Sequence, residues 1–309
     1  MADITQKKSC GQVMNEWKEF IWNPRTREFM GRTGSSWALI LLFYLVFYAF
    51  LTAVFTLSMW VMLQTIDEYN PTYSDRLANP GLMIRPKLDA LEISYSMNTH
   101  NSSWQKYVDG LNSLLQDYNR TVQEERGAAC PPGSYFTQAD TGDVRNYPKK
   151  ACQFLRDSLG ECSGINDPTY GYSSGTPCVL IKMNKVIHFL PAPVKDISNT
   201  SITISCAGKK LKSAVNETND ENDALLGSKL YFPGLSNNNL GTIDLKYFPY
   251  YGNRAQKNYT QPFVAVKFLN ATRNVEHNVE CRVTAANINN QDERDKFQGR
   301  VIFTLRIDT

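Results

Sequence analysis

The sequence predicts one membrane-crossing helix followed by a mainly β domain, an antiparallel sandwich with an added helix and long loops. Three observations predict it. The 27 residues from Trp37 to Leu63 carry no charged side chain. Six of the seven cysteines and all six N-x-S/T sequons follow that run. The second half of the chain then alternates apolar and polar residues with the period of two that strands require.

The chain divides into a tail (1–36), a span (37–66) and a large domain (67–309). In the tail, Trp17, Phe20, Ile21 and Trp22 recur at helical spacing ahead of Asn23-Pro24, which should end the segment. Aromatic residues so placed suit a membrane–water interface. The span exceeds the roughly 20 apolar residues that cross a bilayer as a helix. Lys7, Lys8, Lys18, Arg25, Arg27 and Arg32 precede it, and Asp67 and Glu68 follow it. The positive-inside rule then expects a cytosolic tail and an external C-terminal domain, a single-pass type II topology. Within the span, Tyr44 and Tyr48 share a helix face, and Ala49 and Ala53 form a small-xxx-small pair on an adjoining one. A phenol deep in lipid needs a hydrogen-bond partner, and small residues let another helix approach. This face reads as a docking surface for a partner helix.

Beyond the span, residues 67–100 read as proline-rich extended chain. A helix is expected from Trp104 to Val122, with Tyr107, Val108, Leu111, Leu114, Leu115 and Tyr118 on its apolar stripe and Ser102 or Ser103 as cap. Residues 130–178 are turn-rich and cysteine-dense. Strands are expected at Val179–Met183 with Ile187 and Phe189 on the same face, at Ile202–Cys206, at Ile243–Tyr247, at Phe263–Leu269, at Val275–Val283 and at Val301–Ile307. The asparagine-rich stretch 207–242 reads as a long loop or insertion.

Cys10 lies in the tail and is expected to stay a thiol. Cys130, Cys152, Cys162, Cys178, Cys206 and Cys281 follow the span, an even number that implies three disulfides in an oxidising compartment. Six cysteines allow 15 pairings. The sequons are at Asn101, Asn119, Asn199, Asn216, Asn258 and Asn270, all on the expected outer side. N-linked glycans and the lipid bilayer are therefore expected companions.

Several functions are disfavoured. The net charge of +3 falls mostly in the tail, so the domain offers no electrostatic footprint for nucleic acid. Gly171-Tyr172-Ser173-Ser174-Gly175 matches the hydrolase G-x-S-x-G pattern, but its neighbours spell a loop rather than a strand–helix elbow. No D-x-D element supports a metal-dependent glycosyltransferase; the acidic clusters 220–223 and 292–295 read as solvated loops. No cysteine pair has zinc spacing, and His100, His188 and His277 lack a metalloprotease context; His277 reads as a buried or edge residue. No catalytic residue, metal site or cofactor is expected.

Two segments and one motif carry a specific resemblance. The first segment runs from Trp17 through Phe20, Trp22-Asn23 and Met30-Gly31-Arg32-Thr33 to Trp37. The second runs from Lys149 through Cys152-Gln153 and Leu159 to Cys162-Ser163-Gly164. The motif is Tyr247-Phe248-Pro249-Tyr250-Tyr251-Gly252. Over essentially its whole length the chain resembles the β subunits of the sodium–potassium and proton–potassium pumps, with the sodium–potassium type leading. The resemblance implies an Ig-like sandwich and a non-catalytic subunit at the plasma membrane. That subunit assembles with a catalytic α subunit, supports its folding and delivery, and tunes potassium affinity. A small single-span regulatory subunit is a further implied partner, and cell adhesion a coexisting role.

The resemblance also implies that Tyr44 and Tyr48 meet a transmembrane helix of α. The dense run Tyr247, Phe248, Tyr250 and Tyr251 offers large, stiff side chains that suit an external contact with α or the filling of the domain's own core. It implies the pairing Cys130–Cys152, Cys162–Cys178 and Cys206–Cys281. Two short loops closed by local encounter and two inward-facing strand cysteines, suited to a bridge inside an Ig-like sandwich, agree with that pairing. There are two departures. Glu161 stands where many members have the asparagine of a sequon, and Asn253-Arg254 follows the aromatic motif where lysine is common.

Overall fold

The computed structural model describes residues 10–73, 79–87, 90–97, 103–142, 144–209, 219–235, 239–292, 295 and 297–309. The expectations at Lys7, Lys8, His100, Asn101, Ser102 and Asn216 lie outside these residues. The chain forms two compact units, residues 1–66 and 67–309.

In the first unit, helix α1 (Cys10–Ile21) ends where expected, just before Asn23-Pro24. A small antiparallel ribbon follows, made of β1 (Trp22–Asn23), β2 (Glu28–Phe29) and β3 (Arg32–Thr33). Helix α2 (Gly34–Gln64) has 31 residues, is long and apolar enough to cross a membrane, and buries none of its side chains within the chain. It starts three residues before Trp37. Two of its hydroxyls are satisfied internally: Thr56 donates to the Thr52 carbonyl at 2.7 Å and Ser58 to that of Phe55 at 2.8 Å.

The second unit is built on two sheets. Its elements in chain order are β4 (Leu82–Arg85), β5 (Glu92–Ser96), α3 (Gln105–Leu115), α4 (Arg120–Arg126), β6 (Cys178–Met183) and β7 (Ser201–Gly208). These are followed by α5 (Asn219–Leu226), β8 (Lys229–Phe232), β9 (Gly241–Asp244), β10 (Val264–Phe268), β11 (Glu276–Thr284) and β12 (Arg300–Asp308). One sheet has the order β4-β6-β10-β8, the other β5-β12-β11-β7-β9. All pairs are antiparallel except β5 with β12, which run parallel. Apolar faces meet between the sheets, as where Phe268 of β10 lies 6.5 Å from Phe303 of β12, ring to ring. The buried core is continuous from Ile84, Ile181 and Val266 to Ile204, Val279 and Leu305.

Several expectations are corrected. Residues 67–100 contain two strands, each announced by a short alternation, Leu82/Ile84 and Ile93/Tyr95, that the surrounding prolines obscure. The expected single helix breaks after a 3-10 turn at Gln116–Tyr118. Asn119 takes extended backbone there and α4 starts anew. Its stripe still packs inward, with Tyr107, Val108, Leu111, Leu115 and Tyr118 buried. Ser103 does not cap α3; its hydroxyl accepts from the Ser96 amide at the edge of β5. Ile187 and Phe189 lie beyond the end of β6. The strand expected through Tyr247 stops at Asp244, whose carboxylate accepts from the Lys246 amide and starts a 3-10 turn. Within 207–242 the chain forms α5 and β8, and β8 joins the four-stranded sheet. Asp223 of α5 is no solvated loop residue: its Oδ1 accepts from the Gly208 amide at 2.8 Å and from Lys229 at 2.7 Å.

The six cysteines form three disulfides: Cys130–Cys152, Cys162–Cys178 and Cys206–Cys281. The last does not cross the sandwich. Cys206 and Cys281 are direct partners on β7 and β11, 4.0 Å apart at Cα, so the bridge lies within one sheet and faces the core. An Ig-like bridge would join the two sheets.

Candidate partner-contact surfaces

On α2, the rings of Tyr44 and Tyr48 stack on one face, 5.9 Å apart and inclined by 21°. Both are exposed, and neither phenol finds a hydrogen-bond partner among the described residues. They differ in this from Thr56 and Ser58, whose hydroxyls are spent on the helix's own carbonyls. The tyrosine face is thus an unsatisfied polar stripe on an otherwise apolar rod, which hydrocarbon alone cannot accommodate cheaply.

The aromatic run Tyr247–Gly252 packs largely against its own domain. Phe248, Tyr250 and Tyr251 are each no more than 8% exposed within this domain alone. The Phe136 amide donates to the Phe248 carbonyl at 2.9 Å, and the His188 amide to that of Tyr250 at 2.8 Å. The Tyr250 ring lies 4.6 Å from that of Tyr259, with the Lys185 ammonium 5.3 Å above it. The Tyr251 hydroxyl accepts from the Gln138 amide at 2.6 Å. Tyr247 packs on Phe154 at 5.6 Å, and burial pushes its phenol far above the ordinary range. Phe248, Tyr250 and Tyr251 are thus mostly buried in their own domain, with backbone partners far away in sequence, and Tyr247 is half-buried.

What the run does present is a seat for residues 67–70. Gly252 has φ +90°, a left-handed conformation; a Cβ there would meet Ile187 at 3.2 Å and the Tyr69 carbonyl oxygen at 3.4 Å. Arg254 pairs with Glu68 at 2.6 Å, so the first cation after the motif is engaged inside the chain. Asn70 Oδ1 meets His188 Nε2 at 2.8 Å, and the His188 ring stands edge-on to Tyr251 at 5.3 Å. Tyr69 stacks on Tyr147 at 4.5 Å. Asp67 accepts two hydrogen bonds from the Arg145 guanidinium, one of 3.0 Å, and that contact first, then the Tyr69 amide, holds its carboxyl well below the usual range.

The second resemblance segment has structural work in the same region. The Lys149 side chain is 2% exposed; its ammonium donates to the Gln138 carbonyl at 3.0 Å, pairs with Asp140, and lies 5.5 Å from the Tyr251 ring. Glu161, the departure that removes a sequon, instead pairs with Lys267 at 2.6 Å. The G-x-S-x-G stretch is a turn leading into strand β6, not a helix. A Cβ on Gly171 would fall 1.9 Å from the Thr176 carbonyl oxygen, so the turn itself demands the glycine. His277 is buried, with Nε2 2.7 Å from the Thr272 carbonyl oxygen, which makes that nitrogen the donor. Among the described residues no three His, Cys, Asp or Glu side chains come together as a metal site would need. The described sequon residues Asn119, Asn199, Asn258 and Asn270 are all exposed. The Asn270 Oδ1 accepts from the Ser228 amide and hydroxyl, both at 2.7 Å, which leaves its amide nitrogen pointing away from those bonds.

Comparison with known proteins agrees with this anatomy. The sodium/potassium ATPase beta chain family matches residues 7–303. A protein of Rhinella marina named sodium/potassium-transporting ATPase subunit beta-2 is 71% identical over 308 residues, covering 100% of this chain and 99% of its own length. Proteins of the same name from Oryctolagus cuniculus and Ochotona curzoniae are 58% and 57% identical over 303 residues, covering 98% of this chain and 97% of their own lengths. With its disulfide-bonded two-sheet domain, its long apolar helix near the N-terminus and this end-to-end similarity, the chain belongs to the sodium/potassium ATPase beta chain family.

Proposed function

We propose that the chain is the non-catalytic β subunit of a sodium/potassium-transporting P-type ATPase. It pairs with the catalytic α subunit, supports that subunit's folding and delivery to the plasma membrane, and tunes its potassium affinity. The tail is cytosolic, and the glycosylated domain 67–309 is extracellular and available for adhesion. ATP hydrolysis and ion binding belong to α. A small single-span regulatory subunit is compatible with the same assembly.

The observation that carries this reading is the stacked Tyr44–Tyr48 pair, whose phenols have no partner among the described residues of their own chain. A transmembrane helix of α would supply acceptors, and Ala49 and Ala53 would let it approach. The external contact falls on the surface around the seated segment 67–70 and the Tyr247–Gly252 run, with the rings acting as scaffold beneath it. Replacing Tyr44 and Tyr48 together by Leu tests the reading. Interhelical hydrogen bonds in membranes average about 0.6 kcal/mol, so assembly should persist while the potassium activation curve of the pump shifts. An unchanged curve would refute a role for this face.

A further inference from the structure

We propose that α1 is an in-plane membrane helix. Its Val13, Met14, Trp17, Phe20 and Ile21 face beds into the headgroup–acyl boundary of the leaflet that α2 enters. This goes beyond pairing with an α subunit and rests only on α2 crossing a bilayer.

At 100° per residue these five side chains fall on one side of a 12-residue helix, while Asn15, Glu16, Lys18 and Glu19 fall on the other. All five are exposed, Trp17 by 64% and Met14 by 63%. A helix of this length is marginal in water without a surface to cover its apolar face. The ribbon supplies the reason for choosing lipid. The Met30 amide donates to the Ile21 carbonyl at 3.1 Å, and the Trp37 indole donates to the Phe29 carbonyl at 2.8 Å. The end of α1 is thereby tied, through two hydrogen bonds, to the first turn of α2, where the bilayer begins. Trp22, Phe29 and Met30 are exposed beside it and extend the apolar patch. Tryptophans belong at such an interface, and Arg25, Arg27 and Arg32 lie on or between the ribbon strands, where lipid phosphates would meet them. Glu16, Glu19 and Glu28 offset most of the positive charge, so apolar burial leads and the lipid's own charge matters little.

The test uses the full chain in phosphatidylcholine vesicles with and without phosphatidylserine. In a Cys10→Ser background, a nitroxide is attached in turn at Met14→Cys, Phe20→Cys, Asn15→Cys and Glu19→Cys, and collision with oxygen and with a water-soluble nickel complex is measured. The proposal predicts an oxygen-to-nickel ratio several-fold higher at positions 14 and 20 than at 15 and 19, in both lipid mixtures. Adding Trp17→Glu should lower the ratio at position 20. Equal ratios at all four positions would place the helix in water and overturn the proposal. Positions 14 and 20 shielded from both reagents would show the face covered by protein, its own chain or a second copy, and would overturn it equally.

Discussion

Glu280 shows how one residue's environment is set by strands far apart in sequence. It points away from the sandwich core on β11, yet it is buried, because three cations close over it. Lys209 lies at 2.9 Å, Arg282 at 2.7 Å and Arg300 at 3.4 Å. Burial alone would raise its pKa; the hydrogen bonds from Lys209 and Arg282 and their charges outweigh that and lower it. A carboxylate with a depressed folded pKa stabilises fully above its unfolded value of about 4.5 and loses that contribution as pH falls through the lower folded value. Glu280→Gln should therefore cost about 2 kcal/mol at neutral pH and flatten the acid side of the stability profile. Thermal melts of the domain between about pH 7 and pH 3 check both effects. A variant with unchanged neutral stability would show that the cations, not the carboxylate, hold this surface.

The elements divide by how locally they are determined. The span, β11 and β12 are legible in the sequence because a charge-free run or a strict alternation is a local signal. Strands β4 and β5 carry the same signal over only four or five residues, and neighbouring prolines mask it. The break at Asn119 needs only one residue to leave helical backbone, which periodicity does not register. The inward turn of Tyr250 depends on His188, Tyr259 and Lys185, of which only Tyr259 is near in sequence, so local pattern does not separate exposure from burial. Burial makes a prediction at this scale. Tyr250→Ala should destabilise the secreted domain by about 3 kcal/mol, as large-to-small core changes do, and recovery of α should fall as a consequence. A variant domain that melts like the parent while recovery of α falls would return the ring to the contact surface.

The Cys206–Cys281 bridge belongs to this scale too. It closes 75 residues of chain, against 22 and 16 for the other two. In the chain-entropy model that corresponds to about 4–5 kcal/mol against about 3 for each short loop. Cys281→Ser should therefore be the most damaging single loss. The expected outcome is retention of the chain in the endoplasmic reticulum, read by surface biotinylation. Normal surface levels would contradict it.

Across the whole molecule, a helix long and apolar enough to cross a membrane, whose two tyrosines lack partners among the described residues, leads into a disulfide-bonded sandwich whose aromatic motif seats residues 67–70. Asp67, Glu68, Tyr69 and Asn70 are engaged within the same domain by Arg145, Arg254, Tyr147 and His188 respectively. The most direct measurement is purification of the tagged full-length chain from its native membrane in mild detergent, followed by mass spectrometry. The account predicts a P-type ATPase α chain in amounts comparable to the tagged chain, lost on harsher solubilisation. A folded, disulfide-bonded chain recovered alone, with no α chain under any mild condition, would contradict it.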